Sequence, residues 1–129
     1  MSETHSGGCL CGAVRITVEG PLGPVSACHC AQCRRQSGHY WAATEVPRAA
    51  VRIEGEAALR WYQASPRARR DFCGTCGSFL LWQLIENDMI DVAMGALDAP
   101  SGTALAQHIF VAEKGDYYTI ADGLPQRAD

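Results

Sequence analysis

Seven cysteines hold the chemistry that this sequence of 129 residues can do, and they fall into three tight sets. The first is Cys9-Leu10-Cys11, the second Cys28-His29-Cys30-Ala31-Gln32-Cys33, and the third Cys73-Gly74-Thr75-Cys76-Gly77. In the third set a glycine follows each cysteine, which lets the backbone turn tightly and aim its amides at the sulfurs. Such a knuckle supplies two ligands of a tetrahedral zinc, so two more are required. Cys9 and Cys11 are the natural partners, because residues i and i+2 of an extended chain point to the same face. Cys9, Cys11, Cys73 and Cys76 would then form a closed, structural site. The middle set differs. Cys28, Cys30 and Cys33 can converge on one metal but leave it one ligand short, and zinc with three protein ligands and an exchangeable fourth position is the catalytic pattern. His29 points away from its neighbours if the segment is extended, so it is expected not to be a ligand.

Arg34 and Arg35 follow the trio directly. They could offset thiolate charge or hold an anionic substrate, with Arg34 the named candidate, or they could form a solvated face. A general base does not stand out. His5, His39 and His108 qualify by residue type only, and His39, beside Tyr40 and Trp41, is nearest the trio in sequence. A structural role is the default for such histidines, and core packing is the expectation for Trp61, Trp82 and the Tyr117-Tyr118 pair. Three readings of the cysteines compete with the one above: both sites could be structural, the sulfurs could be buried without metal, or an iron–sulfur cluster could use them.

The elements that must position these residues read as short strands between glycine and proline punctuation. Val14, Ile16 and Val18 alternate with Arg15, Thr17 and Glu19. Further runs lie at Tyr40 to Val46, Val51 to Glu54, Leu59 to Tyr62, Ala68 to Phe72, Phe79 to Leu84, Ile90 to Met94 and Gln107 to Ala112. Ala31 to Ser37 lacks β-branched residues and is expected to form one short helix. Many short strands with tight turns predict an all-β domain. The length fits one domain over residues 1–129, and no linker or repeat divides it.

The formal charge of −3 leaves no basic footprint for nucleic acid. Seven metal-bound thiolates and two zinc ions would make the charge about −6. No apolar run approaches the ~18 residues that span a membrane. The N-terminus shows neither a cationic segment nor an apolar stretch of the signal-peptide kind, so the expected location is the cytoplasm, where disulfides are rare. An odd number of cysteines cannot pair completely in any case. An exposed strand edge would allow a homodimer.

Three segments together resemble the glutathione-dependent formaldehyde-activating enzyme family, which includes centromere protein V. They are Gly8-Cys9-Leu10-Cys11-Gly12-Ala13-Val14, Cys28 to Gly38 with its Arg34-Arg35-Gln36-Ser37, and Arg70-Asp71-Phe72-Cys73-Gly74-Thr75-Cys76-Gly77-Ser78. Met94-Gly95-Ala96-Leu97-Asp98 and Asp122-Gly123-Leu124-Pro125 look similar too. The resemblance implies small stacked antiparallel sheets, a zinc-ribbon-like "β-tent". It implies a structural zinc at Cys9, Cys11, Cys73 and Cys76 and a labile one at Cys28, Cys30 and Cys33. It also implies a carbon–sulfur lyase type of activity, joining formaldehyde to glutathione as S-(hydroxymethyl)glutathione. A zinc or thiol carrier without turnover is the rival expectation.

Overall fold

The structure is a computed structural model and describes residues 3–129. In chain order its elements are β1 (Thr4–Gly8), β2 (Arg15–Glu19), β3 (Val25–Cys28), α1 (Ala31–Ser37), β4 (Trp41–Pro47), β5 (Val51–Glu54), β6 (Leu59–Ser65), β7 (Ala68–Cys73), β8 (Phe79–Leu84), β9 (Met89–Ala93) and β10 (Leu105–Ile109). They form a three-stranded sheet in the order β1-β2-β5 and a seven-stranded sheet in the order β10-β3-β4-β9-β8-β7-β6. Neighbouring strands run antiparallel except for β10, which pairs parallel with β3. The all-β expectation of small stacked sheets holds, and the helix falls on Ala31–Ser37 as its composition predicts.

Alternation explains how the sheets meet. In β2, Ile16 and Val18 are buried while Arg15 and Glu19 are exposed. These side chains, with Val14 and Val51, pack against Val46, Leu80, Leu81, Ile90 and Val92 of the larger sheet. Each such side chain removed from water contributes roughly 1.5–3 kcal/mol, so this layer is the main source of cohesion. The edge strand β1 of the small sheet also meets the segment that follows β9, through a bridge between Gly7 and Leu97. A Cβ added at Gly7 would lie 1.8 Å from the Ala96 carbonyl oxygen, so only glycine permits that approach. A second, smaller cluster of Cys33, Trp41, Ala43 and Ala93 lies under α1, with Trp41 stacked on Phe79 at 4.0 Å between ring centroids.

Three expectations are corrected. Trp61 is not core: it is 54% exposed on the edge strand β6, although Trp82 is half-buried. Tyr117 is likewise exposed, and Tyr118 is held by a polar contact described below. Cys9 and Cys11 come together in a turn rather than an extended segment, closed by the Gly12 N–H to the Cys9 carbonyl at 3.3 Å. Strands β1 and β3 were not anticipated, since Thr-His-Ser-Gly-Gly and Val-Ser-Ala-Cys carry little strand propensity. Partner strands supply what propensity does not. Among the described residues, no helix is long and apolar enough to cross a membrane.

Candidate metal centres and the adjoining cleft

The four-cysteine set is assembled from both sheets. Cys9 and Cys11 lie in the turn between β1 and β2, Cys73 ends β7, and Cys76 lies in the turn before β8. Their sulfurs all lie within 4.8 Å of one another. Two separations are 3.7 Å (Cys9–Cys11) and 3.8 Å (Cys11–Cys73). Ligands of a tetrahedral zinc with bonds of about 2.3 Å stand about 3.8 Å apart, so the donor set fits that ion. Disulfide bonding would need about 2.05 Å. The turn residues hold the sulfurs in place. Val14 N–H donates to Cys9 Sγ at 3.3 Å and Cys76 N–H to Cys73 Sγ at 3.4 Å. The Gly77 N–H closes the knuckle onto the Cys73 carbonyl at 2.8 Å, with Gly77 at φ 83°, a conformation suited to glycine. Hydrogen bonds from the Ser78 side chain and backbone bring the Cys76 thiol down to about 5.

The trio sits where β3 runs into α1. Cys28 is the last residue of β3, Cys30 is the N-cap of α1, and Cys33 lies in the first turn. The Cys30 sulfur accepts from the Cys33 N–H at 3.3 Å, the bond a serine or aspartate usually makes at this position. The three sulfurs lie within 4.8 Å of one another. Contacts with the Cys28 and Cys33 sulfurs, then the Cys33 N–H and the Arg70 charge, draw the Cys30 thiol down to about 2. Contacts with the Cys30 and Cys33 sulfurs, then burial, push Cys28 upward. The Cys33 N–H and the Arg70 guanidinium both favour the charged form of the Cys30 sulfur.

The guanidinium that meets these sulfurs belongs to Arg70 of β7, not to the Arg34-Arg35 pair. Arg70 is buried, with Nη1 and Nη2 each 3.5 Å from Cys33 Sγ and Nη2 3.9 Å from Cys30 Sγ. Gln32 and Gln36 of α1 accept its remaining hydrogen bonds at 3.2 Å each. Offset of thiolate charge thus falls to a residue the sequence did not single out. Arg69 and Arg70 look alike in sequence, and only strand alternation plus the tertiary fold turns one of them toward the trio. Arg34 is half-buried on α1 with its Nε lacking a hydrogen-bond partner, and its charge acts on Tyr118. Arg35 is exposed.

His29 is buried between Cys28 and Cys30, and both of its ring nitrogens are engaged, by Tyr118 and by His108. Neither nitrogen is left for a metal. Burial, with help from the neighbouring His108, keeps it neutral by lowering its pKa to about 4. Of the other candidate bases, His5 is buried against Glu3, 52% exposed, at 3.2 Å on the small sheet, and His39 is exposed with its ring against Tyr40 and Tyr118.

A cleft of about 490 Å³ opens beside the trio, lined in part by Trp41, Glu45, Arg70, Trp82 and Asp91. Asp91 of β9 stands directly across from Glu45 of β4 and Trp82 of β8. Burial, then the Glu45 charge, raises its carboxyl to about 7. Nothing in the sequence marked Asp91, because its cleft position follows from pairing register alone.

Fold and sites define a small β-protein with two cysteine sets of metal-binding geometry, one closed and one opening on a cleft. The chain belongs to the glutathione-dependent formaldehyde-activating enzyme family, whose profile matches residues 4–113. Among solved structures, the chain is similar to a crystal structure of a Rhodobacter sphaeroides protein determined in a structural genomics programme, with 30% identity, a TM-score of 0.63, and coverage of 73% of this chain and 88% of that one. No curated protein matches the sequence. Family membership supports a glutathione-dependent, formaldehyde-activating type of function.

Proposed function

We propose that the chain, acting as one domain over residues 1–129, is a zinc-dependent carbon–sulfur lyase-like enzyme of thiol–aldehyde adducts. Its reaction would be the addition of glutathione or a related thiol to formaldehyde, giving S-(hydroxymethyl)glutathione, and the reverse. The observation that carries this reading is the trio of Cys28, Cys30 and Cys33, three sulfurs within 4.8 Å that face a cleft instead of closing on a fourth cysteine. A zinc ion held there would keep one position for an exchangeable ligand and lower the pKa of a thiol bound at it.

The chain's own residues supply the rest. Arg70 offsets negative charge on Cys30 and Cys33, which holds thiolates in place while the substrate sulfur exchanges. Trp41 and Trp82 give the cleft apolar walls, which limit water around a reactive aldehyde. The reaction needs one proton moved. It leaves the substrate sulfur as the carbon–sulfur bond forms and ends on the former carbonyl oxygen, so none is consumed overall. Asp91, in the same cleft and titrating near neutrality, is the group suited to hold it in transit. Arg34 would meet an anionic group of the substrate, such as a glutathione carboxylate. The reading places the protein in the reducing cytoplasm, and a homodimer would form through the exposed edge of β6, covering Trp61 and Tyr62.

The test is the rate of S-(hydroxymethyl)glutathione formation above the spontaneous rate, measured with the zinc-loaded protein. Cys30→Ser is expected to remove the acceleration while the set of Cys9, Cys11, Cys73 and Cys76 stays loaded. Unchanged acceleration in that variant would falsify the mechanism. Calorimetric binding of glutathione with no acceleration in the parent protein would favour the carrier.

A further inference from the structure

His29 heads a chain of hydrogen bonds that leaves the trio and ends outside the segment matched by the family. Its Nδ1 meets the Tyr118 hydroxyl. Its Nε2 lies 2.9 Å from His108 Nδ1, and His108 Nε2 lies 2.7 Å from Asp122 Oδ2. The chain ends on an acceptor. The Asp122 carboxyl is held below the usual carboxylate range, first by the Leu124 N–H and then by His108, so it is ionised and can only accept. His108 Nε2 therefore donates to it, and each ring nitrogen of His29 and His108 has a hydrogen-bond partner.

The backbone around this chain forms a strap. β10 runs parallel to β3, and the His29 N–H donates to the Ile109 carbonyl at 3.0 Å. The segment then turns at Phe110, and Glu113 Oε1 accepts from Ala31 N–H at 3.1 Å. It returns past Tyr118 and Asp122 to pair with His108, whose N–H donates to the Pro125 carbonyl and whose carbonyl accepts from Arg127 N–H, both at 2.9 Å. Tyr118 and Asp122 both lie beyond residue 113, where the family match ends.

We propose that His108, Tyr118 and Asp122 are positioning residues for the trio: by tying both nitrogens of the His29 ring, they set the backbone between Cys28 and Cys30 so that both sulfurs face Cys33. The leverage is short, since one residue separates the two cysteines and rotation about its backbone swings their side chains apart. Partners that orient ligands from behind commonly contribute about 10- to 100-fold in metal affinity. The strap would therefore govern how firmly the labile metal is held, with no direct contact to it. This inference rests on the reading of the trio as a metal site, not on turnover.

The experiment is chelator competition on the zinc-loaded protein, together with the cobalt(II) thiolate absorption bands. The four-cysteine site serves as internal reference. Tyr118→Phe and Asp122→Ala are expected to weaken the trio by about 10- to 100-fold and to leave the four-cysteine site unchanged. Asp122→Asn, whose amide oxygen still accepts, should keep near-parental affinity. His108→Ala should act like Asp122→Ala, but it opens a buried position, so the two strap variants decide the matter if it does not fold. Equal affinity in all variants, or equal loss at both sites, overturns the inference while the trio's metal binding stands. A parental protein that binds one metal and shows no trio signal overturns both.

Discussion

Asp91 shows what a single position does when burial and charge act together. An ordinary aspartate titrates near 3.9, but its place in the cleft and the carboxylate of Glu45 raise it to about 7. The groups that face it across the two adjoining clefts are Glu45, Arg70, Glu113, Arg127 and the trio thiols. Between about pH 4 and 7 the folded state thus holds a proton that the unfolded chain releases, so this residue makes stability fall as pH rises through that window. Asp91→Asn is accordingly expected to stabilise the protein at pH 8 by roughly 1–3 kcal/mol, after allowing for solvent screening, and to change little at pH 4. Urea midpoints of the two proteins at both pH values provide the measurement. A shift of equal size at the two pH values would show that the carboxyl titrates normally.

At the scale of elements, the side-chain packing between the two sheets is supplemented by a backbone contact with no side chain in it. β1 has almost no apolar content, yet it is held by five register pairs with β2 and by the bridge from Gly7 to Leu97. Replacing Gly7 by alanine forces its Cβ into the Ala96 carbonyl, so Gly7→Ala should cost about 1–3 kcal/mol or more through displaced backbone. Gly95→Ala is the matched control, since a Cβ there meets nothing within 4 Å. Thermal unfolding of both variants, each metal-loaded, separates them; equal melting temperatures would mean that β1 yields without cost. β6 marks the opposite edge of the large sheet, and its exposed Trp61 and Tyr62 explain why an aromatic-rich strand is not proof of burial.

Across the whole molecule, the four-cysteine site ties Cys9 and Cys11 of the β1–β2 turn to Cys73 and Cys76 at the β7–β8 turn. It therefore joins the two sheets, whereas the trio lies within one sheet and its helix. Two metals per chain are expected on isolation, with mild chelation removing the trio's metal first. Metal content should drop from two to one with the far-ultraviolet dichroism intact, and removal of the second metal should lower the melting temperature sharply. Loss of folded signal with the first metal would contradict this division of labour.

The sequence by itself determined the cysteine sets. Cysteine spacing within each set is local, so the knuckle, the trio and the single helix at Ala31–Ser37 were all legible from neighbours a few residues apart. So were several strands, β2 by its alternation and others such as β5 and β8 as short runs between turns. Tertiary structure decided everything that depends on which segments face one another. Arg70 rather than Arg34 meets the sulfurs because β7 crosses the larger sheet toward α1. Asp91 becomes a cleft group through register with Glu45. His29, legible only as a residue turned away from its neighbouring cysteines, becomes the end of a chain running to Asp122, 93 positions later. Spacing within each cysteine set is encoded at short range, while the joining of Cys9 and Cys11 to Cys73 and Cys76, like the surroundings of the trio, is built from long-range pairing, and no spacing rule in one sequence reports that.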